Sequence, residues 1–450
     1  MNFKKHISET AVLSFPIVIS QVGHIVTGIV DNVFLGRIGK TEQAVGILAN
    51  NIFTLLLVFC IGMSYALTPL VTQANVNNDN KLKAALLKNS LALNFLISII
   101  LFFILYLASP MLYYMQQPAD VVGLALPFFN VLIVSIIPCS LFFVGKQYTE
   151  GLNNTVIAML ISIIGNLLNI LLNYLLINGK WGLPQMGYMG SCWATFIARC
   201  FMGIAFMMLL FKMNSFKEVT VLFKEVSINT KQLFSLFKIG IGSALQFIFE
   251  VAAFVWCGLL AGWFGKESID AHGIALGIAA FTYMFSSGIG SASTIRVGSF
   301  KALNSAIDVK RSANAALLAT LCVTGFFAVL LFVTNSYLPL AFSKDEQIVV
   351  LASQLLIIAG FFQLFDGIQV TALGILRGLE DVKIPTFIVL IGYWAICFPL
   401  SYYFGVMQNM KAKGIWYAIL IGLIFVATAL YLRINQIITL KGRKDNTLER

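Results

Sequence analysis

The chain has 450 residues, 59% of them hydrophobic and 11% charged, with a mean hydropathy of +0.88. A soluble globular chain is roughly 45–50% apolar and about 25% charged, so a soluble enzyme is excluded. The apolar runs are continuous rather than alternating, which excludes a β-barrel, and the net charge of +11 reads as membrane topology rather than nucleic-acid binding because Lys and Arg fall in short loops.

Twelve apolar segments follow in chain order, near 11–35, 44–70, 87–109, 121–145, 153–178, 187–211, 236–264, 271–294, 312–335, 347–373, 384–408 and 414–433. Each approaches or exceeds the roughly 20 residues that cross a bilayer core. The first is too long for a signal-peptide core and lacks a small-residue cleavage site, so it reads as a retained span. With twelve spans the two ends share a side. That side collects 22 Lys and Arg, from Lys4 to Arg450, against seven on the other: Arg37, Lys40, Lys180, Lys266, Lys344, Lys411 and Lys413. Arg199 lies within a span and needs an inward partner or a path to the interface; Arg296 ends span 8 and is expected to snorkel. The bias predicts a multi-pass membrane protein with both termini cytoplasmic.

The two halves resemble each other at an offset near 227. "GRIGKTEQAVGI" at 36–47 faces "GWFGKESIDAHGI" at 262–274. Likewise Gly151, Leu152, Ile164 and Gly165 match Gly378, Leu379, Ile391 and Gly392. Six spans per half is an even number, so the halves enter with one orientation, as parallel repeats about an axis along the membrane normal. The expected organisation is an all-α integral membrane protein: an N-lobe over 1–213, a linker over 214–235 and a C-lobe over 236–450. In the linker, Phe216, Val219, Phe223 and Val226 recur at helical spacing against Lys217, Glu218, Lys224 and Glu225, which predicts an amphipathic helix on the cytoplasmic surface.

Of 19 acidic residues, 16 fall in loops or at span ends; Asp31, Glu250 and Asp366 do not. Intramembrane carboxylates are costly and mark functional sites. Gln21, His24, Thr27, Gly28 and Asp31 form one stripe on span 1, and Asn166, Asn169 and Asn173 one face of span 5. Ser243, Gln246 and Glu250 share a face of span 7, and Gln363, Asp366 and Gln369 one of span 10. Such oxygens suit a hard cation such as Na⁺, or relay protons. At the repeat offset neither C-lobe acid copies Asp31, so the fold is doubled and the chemistry is not. Phe362, one turn before Asp366, either packs or stacks on a flat cation. The seven cysteines read as packing residues and the three histidines are scattered. No phosphate-binding loop, His-Glu-x-x-His or Gly-x-Ser-x-Gly motif occurs, so no catalytic role is expected.

Five stretches carry a resemblance: "FPIVISQVGHIVTGIVDNVFLGRIG" (15–39), "EGLNNT" followed by "GNLLNILLNYLLI" (165–177), "GYMGSCWAT" (187–195), "FEVAAFVWCGLLAGWFG" (249–265) and "FQLFDGIQVTALGILRGLED" (362–381). Together they resemble the multidrug and toxic compound extrusion (MATE) transporters, most of all the NorM branch. The resemblance implies a secondary antiporter that exports small organic cations in exchange for Na⁺ or H⁺, working as a monomer with no cofactor beyond that ion. It implies an N-lobe ion site at Asp31, Asn169, Asn173 and Thr195, with Asn173 standing where other branches have an aspartate. It implies C-lobe cation binding at Glu250 and Asp366, where Phe362 replaces a tyrosine found in some relatives. Gln21, Gln246, Gln363 and Gln369 complete the expected polar linings. A flippase for lipid-linked precursors, of related fold, is the alternative; it would be expected to have a more cationic cavity.

Overall fold

Apolar runs of this length have one way to satisfy their backbone N–H and C=O groups in lipid without a closed barrel, and that is the α-helix. A computed structural model describes residues 2–114, 118–213 and 216–448, without the side chains of 119 and 441–450. Residues 214–215 of the linker and Arg450 lie outside it. The helices of the first half are α1 (Phe3–Ile38), α2 (Lys40–Ser64), α3 (Leu67–Val76), α4 (Asn80–Ala108), α5 (Ala119–Val134), α6 (Ile136–Gly151), α7 (Thr155–Asn178) and α8 (Tyr188–Lys212). Then come α9 (Lys217–Glu225), α10 (Thr230–Gly262), α11 (Lys266–Ala302), α12 (Ala306–Thr334) and α13 (Glu346–Gly378). The last are α14 (Lys383–Leu390), α15 (Phe398–Tyr402) and α16 (Lys411–Leu448). Among the described residues, twelve helical stretches are long and apolar enough to cross a membrane, with α2–α3 and α5–α6 each forming one.

The breaks have local causes. Pro69 has no N–H to reach Tyr65, where α2 stops, and Pro138 none to reach Val134, where α5 stops. Polar side chains cap several starts: Asp79 accepts from the Leu82 amide at 2.8 Å and Asp345 from that of Gln347 at 2.9 Å. The stretch after α14 is wound more widely, as π-helix over Ile391–Cys397 and again over Tyr403–Met407. Pro399 between them withholds a donor from Ala395, the kind of lesion that widens a helix.

Packing divides the chain into two compact units, one of Met1–Val18 with Leu245–Arg450, the other of Ile19–Ala244. The division falls inside α1 and α10, so it differs from the chain-order lobes by two half-helices. Polar contacts explain where residues 3–18 go. His6 is fully buried, its Nε2 3.2 Å from Asp308 Oδ1 and its Nδ1 3.0 Å from Arg296 Nη2. Arg296 also pairs with Glu9. The expected snorkelling of Arg296 is thereby corrected: its head group is buried in an ionic cluster. In the same unit α11 and α13 touch backbone to backbone, because a Cβ on Gly374 would collide with Gly290.

In the other unit, Leu35, Val45, Phe53, Phe128, Phe129 and Leu132 centre an apolar core. The linker helix α9 is amphipathic as expected. Val219 and the flanking Phe216 and Val226 are buried, while Lys217, Glu218, Lys224 and Glu225 are exposed. Lys88 Nζ ties it down, donating to the carbonyls of Phe223 at 3.1 Å and Val226 at 2.6 Å. Exposed apolar side chains such as Val12, Phe15, Leu107 and Val333 are what a lipid-facing surface requires.

Candidate functional site

Three helices of the Ile19–Ala244 unit bring four predicted residues together. Small residues let them approach. A Cβ on Gly23 of α1 would stand 2.6 Å from Asn166 Nδ2 of α7, and one on Gly190 of α8 would stand 2.8 Å from the backbone N of Ile177. With the helices this close, the polar faces meet. Asn173 Nδ2 donates to Asp31 Oδ1 at 2.8 Å and to Asn169 Oδ1 at 3.1 Å. Thr195 Oγ1 reaches Asp31 Oδ2 at 3.4 Å, and Asn169 Nδ2 donates to Thr195 Oγ1 at 3.2 Å. Asn169 and Asn173 are buried, and Asn173 Oδ1 has no hydrogen-bond partner.

The carboxylate, the two amide oxygens and the threonine hydroxyl form an oxygen-rich set, and one member lacks the donor it would find in water. Oxygens of these kinds are the ones a hard cation takes as ligands. Gln21 sits half-buried ten residues before Asp31 on α1. The Thr27 hydroxyl donates to the carbonyl of Gly23 at 2.9 Å. Arg199, one turn beyond Thr195, has the inward partners its position demanded. Its Nη1 donates to Ser135 Oγ at 2.6 Å, and its guanidinium carbon lies 4.6 Å from the centre of the Phe53 ring.

The other unit holds the second constellation. Gln369 Nε2 lies 3.3 Å from Glu250 Oε1 and 3.0 Å from the Tyr393 hydroxyl. Glu250 and Asp366 are both buried and within electrostatic reach of each other. Asp366 Oδ1 and both amide atoms of Gln363 lack hydrogen-bond partners. Phe362 is buried in an aromatic wall, its ring 6.1 Å from that of Phe254 and 5.8 Å from that of Trp416. The structure does not bring Gln246 to this acid pair. Its Nε2 instead bonds Thr386 Oγ1 at 3.2 Å and the carbonyl of Val382 at 3.3 Å. Two buried carboxyls, each one helical turn from an aromatic ring at Phe254 or Phe362, put together the charge and the π systems that attract an organic cation.

Sequence reasoning missed two features. Tyr393 had a signal, a phenol one residue after the repeat-matched Gly392 in an apolar span. Glu150, read as a loop residue, is buried on α6, its Oε1 3.9 Å from the buried Lys146 Nζ. The four-residue spacing of opposite charges was the available clue. Among the described residues, no group of three or more His, Cys, Asp or Glu side chains could hold a metal ion.

The MatE family model matches the chain twice, over residues 16–175 and 242–403. The chain belongs to the MatE family. Its two matched segments start 226 residues apart, which supports the internal repeat. This MatE protein is 27% identical over 440 residues to the multidrug resistance protein NorM of Photobacterium profundum, covering 97% of this chain and 96% of the relative. It is 29% identical over 439 residues to that of Vibrio vulnificus, covering 96% of each. Its fold matches the crystal structure of a eukaryotic MATE transporter with a TM-score of 0.89 at 18% identity, over 98% of each chain. It also matches an outward-facing multidrug resistance MATE transporter with a TM-score of 0.89 at 16% identity, over 98% of this chain and 97% of that one.

Proposed function

We propose that this protein is a multidrug efflux antiporter of the inner membrane, with both termini cytoplasmic, exporting organic cations in exchange for Na⁺ or H⁺. The observation that carries the reading is the convergence of Asp31, Asn169, Asn173 and Thr195 from three helices, with Asn173 Oδ1 left unpaired. The coupling ion binds there, and the organic cation binds at Glu250 and Asp366 against the Phe254, Phe362 and Trp416 rings. Relatives named as multidrug resistance proteins along nearly the whole chain support export as the direction of work.

An ion drives transport only if it binds one conformation better than another. A bound Na⁺ takes over the carboxylate oxygens that Asn173 and Thr195 now hold, so those two side chains must turn their oxygens inward. A proton on Asp31 turns one of those oxygens from acceptor to donor and removes one of the two contacts. Either event loosens the hold of α7 or α8 on α1, and that loosening couples ion occupancy to rearrangement.

The test is ethidium efflux from proteoliposomes under an imposed Na⁺ or H⁺ gradient. Wild-type protein should accelerate efflux under at least one gradient, and Asp31→Asn should abolish that response. Full gradient-driven transport by Asp31→Asn would move the coupling site elsewhere.

A further inference from the structure

Arg199 is the one basic residue the sequence places well inside a span, and the ion site described above does not use it. Its position is constrained from three sides. It follows Thr195 by one helical turn on α8, and Thr195 contacts Asp31. Its Nη1 is held by Ser135 at the break between α5 and α6, and its guanidinium carbon lies over the Phe53 ring of α2, 4.6 Å from its centre. The guanidinium stays within electrostatic reach of the Asp31 carboxylate, while that carboxylate takes its hydrogen bonds from Asn173 and Thr195 instead.

We propose that Arg199 is a tethered counter-charge that compensates Asp31 when no driving ion is bound and competes electrostatically with Na⁺ for that carboxylate. The proposal rests on Asp31 being the coupling-ion site. The Ser135 hydroxyl and the Phe53 ring hold the guanidinium back from a direct salt bridge, which would close the site to any ion. They also hold it near enough that an incoming Na⁺ meets a positive field. Weak binding is what an antiporter needs, since an ion held too tightly is not released on the other side. Arginine suits the task because it keeps its charge in any surroundings and stacks on a ring.

The test is Na⁺-dependent thermal stabilisation of the purified full-length protein, at fixed pH, with choline holding the ionic strength constant. Arg199→Gln should lower the Na⁺ concentration giving half the stabilisation by about tenfold, the order expected for removing one like charge near a partly buried ion. Arg199→Lys should stay within about threefold of wild type, since the charge remains. Ser135→Ala, which frees the guanidinium to approach Asp31, should shift the midpoint in the opposite direction, to higher Na⁺. An unchanged midpoint in Arg199→Gln, or equal shifts in the Gln and Lys variants, overturns the proposal in favour of a packing role. So does a wild-type protein with no Na⁺ response. If Asp31→Asn retains the full Na⁺ response, the ion-site reading itself fails, and this outcome is separate from the behaviour of Arg199.

Discussion

The two polar sites solve the same physical problem in opposite ways. Around Asp31 one carboxylate oxygen takes the Asn173 amide and the other lies 3.4 Å from the Thr195 hydroxyl, which also reaches the Ser191 carbonyl at 3.1 Å, and the amides of Asn169 and Asn173 bond each other as well. Around Glu250 and Asp366 two carboxyls share few donors, and Asp366 Oδ1 and the whole Gln363 amide are left unmet. A buried polar group without a partner costs about 1–3 kcal/mol, so the second site is the one that gains most by acquiring a ligand. The first is nearly satisfied within itself, one amide oxygen short. The second leaves a carboxylate oxygen and a whole amide unmet, with Phe254 and Phe362 each one helical turn from an acid.

The comparison breaks first at the acids. Glu250→Gln and Asp366→Asn should each weaken ethidium binding by tenfold or more, roughly the worth of one charge-assisted contact. They should leave the Na⁺-dependent thermal shift intact, whereas Asp31→Asn should do the reverse. Binding measured by fluorescence and stability measured on the same samples decide the matter, and identical phenotypes would dissolve the distinction between the sites. Next comes the scaffold of the first site. Gly190→Ala inserts a methyl group 2.8 Å from the Ile177 backbone N and should cost about 1–3 kcal/mol of stability by thermal unfolding. It should also impair the Na⁺ response more than ethidium binding. Tyr393→Phe removes the hydroxyl paired with Gln369 and should weaken ethidium binding about fivefold, near 1 kcal/mol, with no effect on the Na⁺ midpoint. The smallest effect belongs to Thr195→Ser, which keeps the hydroxyl and should hold the midpoint within about twofold. Thr195→Val, which removes it, should not.

The helical fold was legible because apolar runs of bilayer length permit little else. The first site was legible because spacings of three and four set the polar atoms of α1 and α7 on single faces, and each face needs a partner. Spacing specifies a face but not the partner that covers it. It put Gln246 with Glu250, although the amide of Gln246 has its partners on and beside α14. It could not pair His6 with Arg296, which lie 290 residues apart. It set Glu150 in a loop because a charge near the end of an apolar run looks solvated until the neighbouring helices are known. Hydropathy also says nothing of where α1 changes allegiance, since that depends on the surface each half-helix meets.

The wide turns at Ile391–Cys397 and Tyr403–Met407 give the span that carries Tyr393 a property of its own. A π turn closes over one more residue than an α turn, so it absorbs a surplus residue without lengthening the helix. Each surplus residue also offsets the residues beyond it by about 100° of rotation relative to those before. Deleting one residue from 391–397 would rotate the half beyond it away from its present neighbours. The wide turn is therefore an angular joint: it lets the part of the span that meets Gln369 evolve in phase with the acids, while the remainder keeps its own face toward lipid.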